Sequence, residues 1–143
     1  MSQESTTPDL VELGRRFFEA ANRRDFDAML SFFAPDAVWE GMGLRSTFEG
    51  VAAIRGFWQE WFGSYEDWEI TPEQMLDLGN GVGFAVVRQT ARPVGSDRRV
   101  QTRMASVSEW LDAVIVRFTV YYDIGQARAA AQRLAEERAQ ADV

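Results

Sequence analysis

Residues 82–123, VGFAVVRQTARPVGSDRRVQTRMASVSEWLDAVIVRFTVYYD, decide the fold. They are rich in β-branched and aromatic residues and are cut by Gly95-Ser96-Asp97 and Asp112-Ala113. That spacing predicts strands over 82–94, 99–111 and 114–123 joined as hairpins. Working backwards, Gly79-Asn80-Gly81 is another turn signal, and 67–78 is the strand before it. Alternation then assigns faces. On the last strand Val116, Phe118, Val120 and Tyr122 form the inner set. On the strand before it the even positions Val100, Thr102, Met104, Ser106, Ser108 and Trp110 do so. In 82–94 the large residues Val82, Phe84, Val86, Arg88 and Thr90 alternate with Gly83, Ala85, Val87 and Gln89, so the even face is expected inward.

Outside this meander the period changes to that of helices. Thr7-Pro8-Asp9 reads as a helix start, with Thr as N-cap and Pro at the first helical position. Leu10, Leu13, Phe17 and Ala21 share one face to about Asn22. Asp25 opens a second helix expected to reach Phe33, and Val38-Trp39-Glu40 is a short strand. Gly41, Gly43 and Gly50 bracket a loop, and a third helix spans 51–62 with Val51, Ile54, Trp58 and Trp61 on one stripe. The final segment, 124–139, is helical by propensity. It holds few large apolar residues and is expected to pack weakly. Helices followed by an antiparallel meander make an α+β domain, one unit over residues 1–143 with its core at 8–125.

Composition narrows the chemistry. The chain has 143 residues, a net charge of −7, no Cys and no His, and its fifteen basic residues are all Arg. Thiol catalysis, disulfides, zinc–thiolate sites, His-ligated metals and Ser-His-Asp triads are excluded. The acidic balance argues against a nucleic-acid surface. No run approaches the ~20 apolar residues of a membrane span, and the N-terminus lacks a signal pattern, so cytoplasmic placement is expected. No metal or cofactor is expected. Aromatic residues make up 13% of the chain, a load that suggests a pocket as well as packing.

Four segments together are familiar: RRFFEAANRRDFDAMLSFFAPDAVWE at 15–40, FEGVAAIRGFWQEWF at 48–62, the hairpins, and VRFTVYYD at 116–123. The chain resembles the SnoaL-like polyketide cyclases of the nuclear-transport-factor-2-like superfamily, which also holds ketosteroid isomerase and limonene epoxide hydrolase. The resemblance implies a cone-shaped, curved sheet wrapped on the N-terminal helices, here with an extra C-terminal helix, and a deep apolar pocket in a homodimer. Family site residues carry over poorly. The isomerases' base corresponds to Gly41, next to Glu40, their oxyanion-binding Tyr to Phe17 and their protonated Asp to a position near Ser106. The epoxide hydrolases' Asp-Arg-Asp set corresponds to Thr90, Arg88 and Val120, of which only Arg88 keeps the chemistry. The cyclases' pocket His falls near Ser106.

The candidates follow from both lines. Arg88, if inward, is a fork for a carboxylate, enolate or phenolate; otherwise it is half of a structural ion pair, or the odd face points in. Glu40 is the carboxylate nearest the base position, although alternation places it opposite Trp39. Asp123-Ile124-Gly125-Gln126 reads as a capping box, and Tyr122 carries a hydroxyl able to stabilise an oxyanion. The pocket is expected to be lined by Phe17, Trp39, Trp58, Phe84, Thr90, Met104, Ser106, Ser108, Trp110, Phe118 and Val120. Two functions remain open. One is cofactor-free isomerisation, cyclisation or dehydration of a hydrophobic carbonyl or polyketide-like compound, with Arg88, Tyr122 and Glu40 in the catalytic roles. The other is a non-catalytic ligand-binding or dimerisation module; epoxide hydrolysis is a distant third. The expected partners are a small hydrophobic ligand and a second copy, the latter through the outer sheet face around Arg103, Val107, Arg117, Thr119 and Tyr121.

Overall fold

A computed structural model describes residues 9–41 and 46–141. The elements run α1 (Leu10–Asn22), α2 (Phe26–Leu30), β1 (Phe33–Gly41), β2 (Ser46–Glu49), α3 (Val51–Gly63), β3 (Tyr65–Asp77), β4 (Val82–Pro93), β5 (Val100–Leu111), β6 (Val114–Tyr121) and α4 (Ile124–Ala141). Asp9 itself caps α1, accepting from the Glu12 N–H, while Thr7 and Pro8 lie outside the described residues. Asp25 caps α2 by accepting from the Ala28 N–H at 3.1 Å. That helix ends at Leu30, not at Phe33. Phe33 instead opens β1, where its ring meets those of Phe17, Trp58 and Phe118.

The sheet has the order β2-β1-β6-β5-β4-β3. β3 to β6 form the expected antiparallel meander. The sheet is nevertheless mixed, because β1 runs parallel to β6 and pairs Trp39 with Phe118 and Gly41 with Val120. The stretch expected as loop contains β2, which folds back antiparallel on β1. The sheet is curved but not closed, with β2 and β3 as its edges. Helices α1, α2 and α3 occupy its inner side, and α4 lies across β4, β5 and β6 on the outer side.

Register settles which residues face in. β4 and β5 pair so that position numbers sum to an odd value: Val87 opposes Met104, and Ala85 opposes Ser106. Cross-strand partners share a face. The even residues of β5 and β6 do face inward, so the inward residues of β4 are the odd ones. The expected even-inward face of β4 is therefore reversed. Arg88 and Thr90 share the outer face with Val82, Phe84 and Val86.

The error has a physical cause: both faces of β4 are apolar. Val82 through Val87 are all buried. The outer half is covered by α4, which buries Ala127, Ala131 and Ala135 against Val82, Phe84, Val86, Ala105 and Val107. Spacing of four residues puts these alanines in one row, and their short side chains let the helix approach the strands closely. α4 thus packs tightly, contrary to expectation, using small residues where large ones were sought. Asp123 caps it by accepting from the Gln126 N–H at 2.9 Å, as the capping box foretold. Arg138 pins its far end by donating to the carbonyls of Asn80 and Gly81, each at 2.9 Å. On the outer face Val107 is buried in the α4 cluster and Thr119 is also buried. Arg103 and Arg117 pair there with Glu73 and Glu40.

Candidate functional site

The inner face is built from rings. Phe17 of α1 lies among Phe32, Phe33, Trp58 and Phe118 at centroid distances of 5.6–6.2 Å. Trp39 stacks on Phe118 at 4.5 Å, as their pairing across β1 and β6 dictates. Phe62 of α3 meets Trp68 of β3 edge-on at 4.6 Å. Flat rings held at tilted and perpendicular angles on a curved sheet do not fill space completely. They leave a cavity of about 90 Å³. Its walls are Phe17, Phe18 and Ala21 of α1, Met29 of α2, and Phe57, Trp58, Trp61 and Phe62 of α3. The sheet contributes Trp39, Gly41, Trp68, Ile70, Val87, Gln89, Met104, Ser106, Phe118 and Val120, with Tyr122 following β6.

Polar groups in this wall are few, and most are donors. Gln89 is 6% exposed, and its Oε1 accepts from the Trp68 Nε1–H at 2.8 Å. The Ser106 hydroxyl, also 6% exposed, has no protein partner among the described residues. The Trp58 indole N–H is buried without a hydrogen-bond acceptor, enclosed by the rings of Phe17, Phe26, Phe33 and Trp39. Tyr122 is 43% exposed and stands where the cavity meets solvent. Near it, burial and then the neighbouring Tyr122 hold the Tyr65 phenol above its ordinary pKa. Among the described residues of the wall there is no carboxylate and no guanidinium.

The expected site residues divide accordingly. Phe17, Trp39, Trp58, Met104, Ser106, Phe118, Val120 and Tyr122 come together around the cavity. Ser108 and Trp110 line a separate space of about 30 Å³, where Trp110 Nε1–H donates to Ser108 Oγ at 2.8 Å. Gly83 makes room there, since a Cβ on it would lie 2.5 Å from that Oγ. Phe84 packs in the α4 cluster, with the Arg128 guanidinium 4.9 Å from its ring centroid. Thr90 and Arg88 are on the outer face, and Arg88 Nε lies 3.4 Å from Glu73 Oε2. The carboxylate that holds it was not foreseen, because Glu73 sits in a strand whose register shifts between Pro72 and Gln74. Glu40 is also outside, in an ion pair with Arg117. Arg117 Nε in turn lies 3.8 Å from Glu109, whose pKa burial pushes up against the pull of Arg138 and Arg117. The proposed acid–base trio of Arg88, Tyr122 and Glu40 is thus not assembled.

The SnoaL-like domain family matches residues 14–118, which hold α1 from Gly14 onward, α2, α3, the first five strands and β6 as far as Phe118. The chain belongs to that family. No curated protein matches it. Solved structures share the fold of this SnoaL-like domain at low identity. One is an NTF2-like protein of unknown function from Burkholderia pseudomallei K96243, with a TM-score of 0.73 and 18% identity over 87% of this chain and 98% of the other. A second, from Catenulispora acidiphila DSM 44928, has a ketosteroid isomerase-like fold and was crystallised with trimethylamine; its TM-score is 0.72 at 16% identity over 84% and 92%. A third is an LEH-like epoxide hydrolase from M. tuberculosis, with a TM-score of 0.67 and 19% identity over 86% and 89%. The Asp-Arg-Asp correspondence with such hydrolases breaks down, because Arg88 and Thr90 of this SnoaL-like domain face away from the cavity that Val120 lines.

Sequence reasoning missed Phe18, Met29, Phe57, Trp61, Phe62, Trp68, Ile70, Val87 and Gln89 in the wall of this SnoaL-like domain. For Val87 and Gln89 the signal was present in the even-inward face of β5, which fixes an odd-inward β4 once the pairing sum is odd. For Trp68 the signal was its even position on β3, opposite odd Ala91.

Proposed function

We propose that this SnoaL-like domain holds a small, uncharged, largely apolar guest in its ring-lined cavity and performs no proton transfer on it. One observation carries the reading: the described wall holds no acidic or basic side chain, and Glu40 and Arg88 are paired on the opposite face of the sheet. Proton abstraction needs a base within hydrogen-bond reach of the guest. Glu40 and Arg88 are separated from the cavity by the sheet itself. A charged guest would lie in apolar surroundings without a counter-charge, which is prohibitive. A second copy docking on the outer face would meet α4, Arg103, Arg117 and Tyr121, since Val107 and Thr119 are already buried.

Cofactor-free isomerisation or cyclisation of a carbonyl compound is the second reading. The cavity's donors favour it, as hydrogen bonds from Ser106 or Tyr122 would stabilise an oxyanion. Deuterium exchange separates the two. A small ketone that titrates the protein is incubated with it in D₂O, and label at the carbons beside the carbonyl is followed by NMR. The binding reading expects label to enter at the buffer rate. Exchange accelerated by the protein and abolished by Tyr122→Phe overturns it in favour of the enzyme.

A further inference from the structure

We infer that Gln89 is the residue that selects the guest, and that it selects for an oxygen acceptor such as a ketone, ester or ether. The inference deepens the cavity reading and rests on it. Gln89 is a buried polar side chain in an apolar wall, and its amide is oriented by chemistry rather than by assignment. An indole N–H can only donate. Trp68 Nε1–H therefore fixes Oε1 of Gln89 as the end that faces it, at 2.8 Å. The Nε2 end must then point the other way. Among the described residues it has no protein acceptor, although Gln89 is 6% exposed and lines the cavity.

Nε2 is not among the buried atoms left without a partner, so it is reached from the cavity. A guest that covers it without a lone pair would leave a donor unpaired away from water, which is costly. Both protons of Nε2 are donors, and Oε1 is turned toward Trp68. A guest offering only C–H to Nε2 leaves that cost standing. A guest offering a hydroxyl can accept there too, but its own proton then needs an acceptor, which the rings do not supply and Ser106 or Tyr122 would have to. Trp68 is a positioning residue in this account: without its N–H the amide is free to turn over and present oxygen instead.

The test uses three probes of equal size, each with nine non-hydrogen atoms: acetophenone, α-methylstyrene and 1-phenylethanol. Dissociation constants come from NMR titration of the whole chain. The readouts are ratios on one protein, so that a general loss of stability cancels. Gln89→Leu is expected to lower the preference for acetophenone over α-methylstyrene by about fivefold to tenfold, the value of one hydrogen bond. Trp68→Phe is expected to raise 1-phenylethanol relative to acetophenone by about fivefold as the amide gains a second orientation. If Gln89→Leu does not fold, the double variant Trp68→Phe/Gln89→Leu replaces it, because it leaves no orphaned N–H. An acetophenone to α-methylstyrene ratio unchanged within twofold, with all three probes still bound, overturns the role of Gln89 and leaves the cavity reading standing. Failure of all three to bind the unaltered protein overturns both.

Discussion

The two faces of one sheet are packed by opposite means. Inside, β4, β5 and β6 meet large flat rings from α1 and α3, and a cavity of about 90 Å³ remains. Outside, the same strands meet the alanines of α4, and Val82, Ala127 and Ala131 are fully buried. Both faces are apolar, so hydrophobicity does not distinguish them. Shape does: rings meeting at wide angles leave gaps, whereas alanines set into a row of valines close them. A solid face is suited to holding a helix, and a hollow one to holding a guest. The polar groups follow the same division. Ion pairs crowd the outer side, while the inner side keeps a buried glutamine, a serine and an indole N–H.

The comparison can be broken from either side. Trp58→Ala removes the most enclosed ring of the inner face, 2% exposed. It is expected to cost about 3–5 kcal/mol in denaturant unfolding, the range for deleting a buried aromatic. A loss below about 1 kcal/mol would mean that the rings are loosely held. On the outer face, Ala131→Leu is expected to cost about 1–3 kcal/mol, because the alanine seam has no space for a larger side chain. The matched change inside is Ala21→Leu, which points added methyl groups toward the cavity. It is expected to cost less than Ala131→Leu and to weaken binding of the acetophenone probe. Equal costs at the two alanines would erase the distinction between solid and hollow.

Two smaller effects sharpen the picture of α4. Arg138→Ala removes the donor to the Asn80 and Gly81 carbonyls and is expected to cost about 1–2 kcal/mol. Amide hydrogen exchange should rise in the last turns of α4 and not in α1. Glu109 provides the smallest effect. Burial raises its folded pKa above the unfolded one, so the folded state binds this proton more tightly. Its contribution is complete below the unfolded value near 4.5 and is lost as pH rises through the folded value. Glu109→Gln should therefore show a shallower fall in stability from pH 4.5 toward neutrality than the unaltered chain. Parallel curves would show that Glu109 is not titrating under this strain.

Most of the fold was legible because its signals are local. Gly79-Asn80-Gly81, Gly95 and Asp112-Ala113 mark the three hairpins, and positive φ angles at Gly79, Asn80, Gly81, Gly95, Asp112 and Ala113 confirm each turn. β5 and β6 could be assigned a face because Arg103 alternates with Thr102 and Met104, and Arg117 with Val116 and Phe118. β1 and β2 were harder, since their pairing is set by contacts between distant parts of the chain and not by a turn. Of the site, eight expected residues reach the cavity: five from β5, β6 and the residue after it, where alternation is clean, two from the apolar stripes of α1 and α3, and Trp39 from β1. Arg88, Thr90 and Phe84 were misplaced together by a single parity error on β4. A strand buried on both sides carries no alternation to read, and the cover on its second side was a helix of alanines that propensity alone does not identify as a packing surface. Gln89 was lost with that parity, and with it the Trp68–Gln89 pair.

Xenon under pressure tests the hollow inner face most directly, because the gas enters apolar voids and needs no hydrogen bond. In a crystal of the unaltered chain the account expects a xenon peak between Phe17, Trp58, Trp68 and Phe118 and none between β4 and α4. Rings closed over that space with no peak among them, or a peak under the alanine row instead, would contradict it.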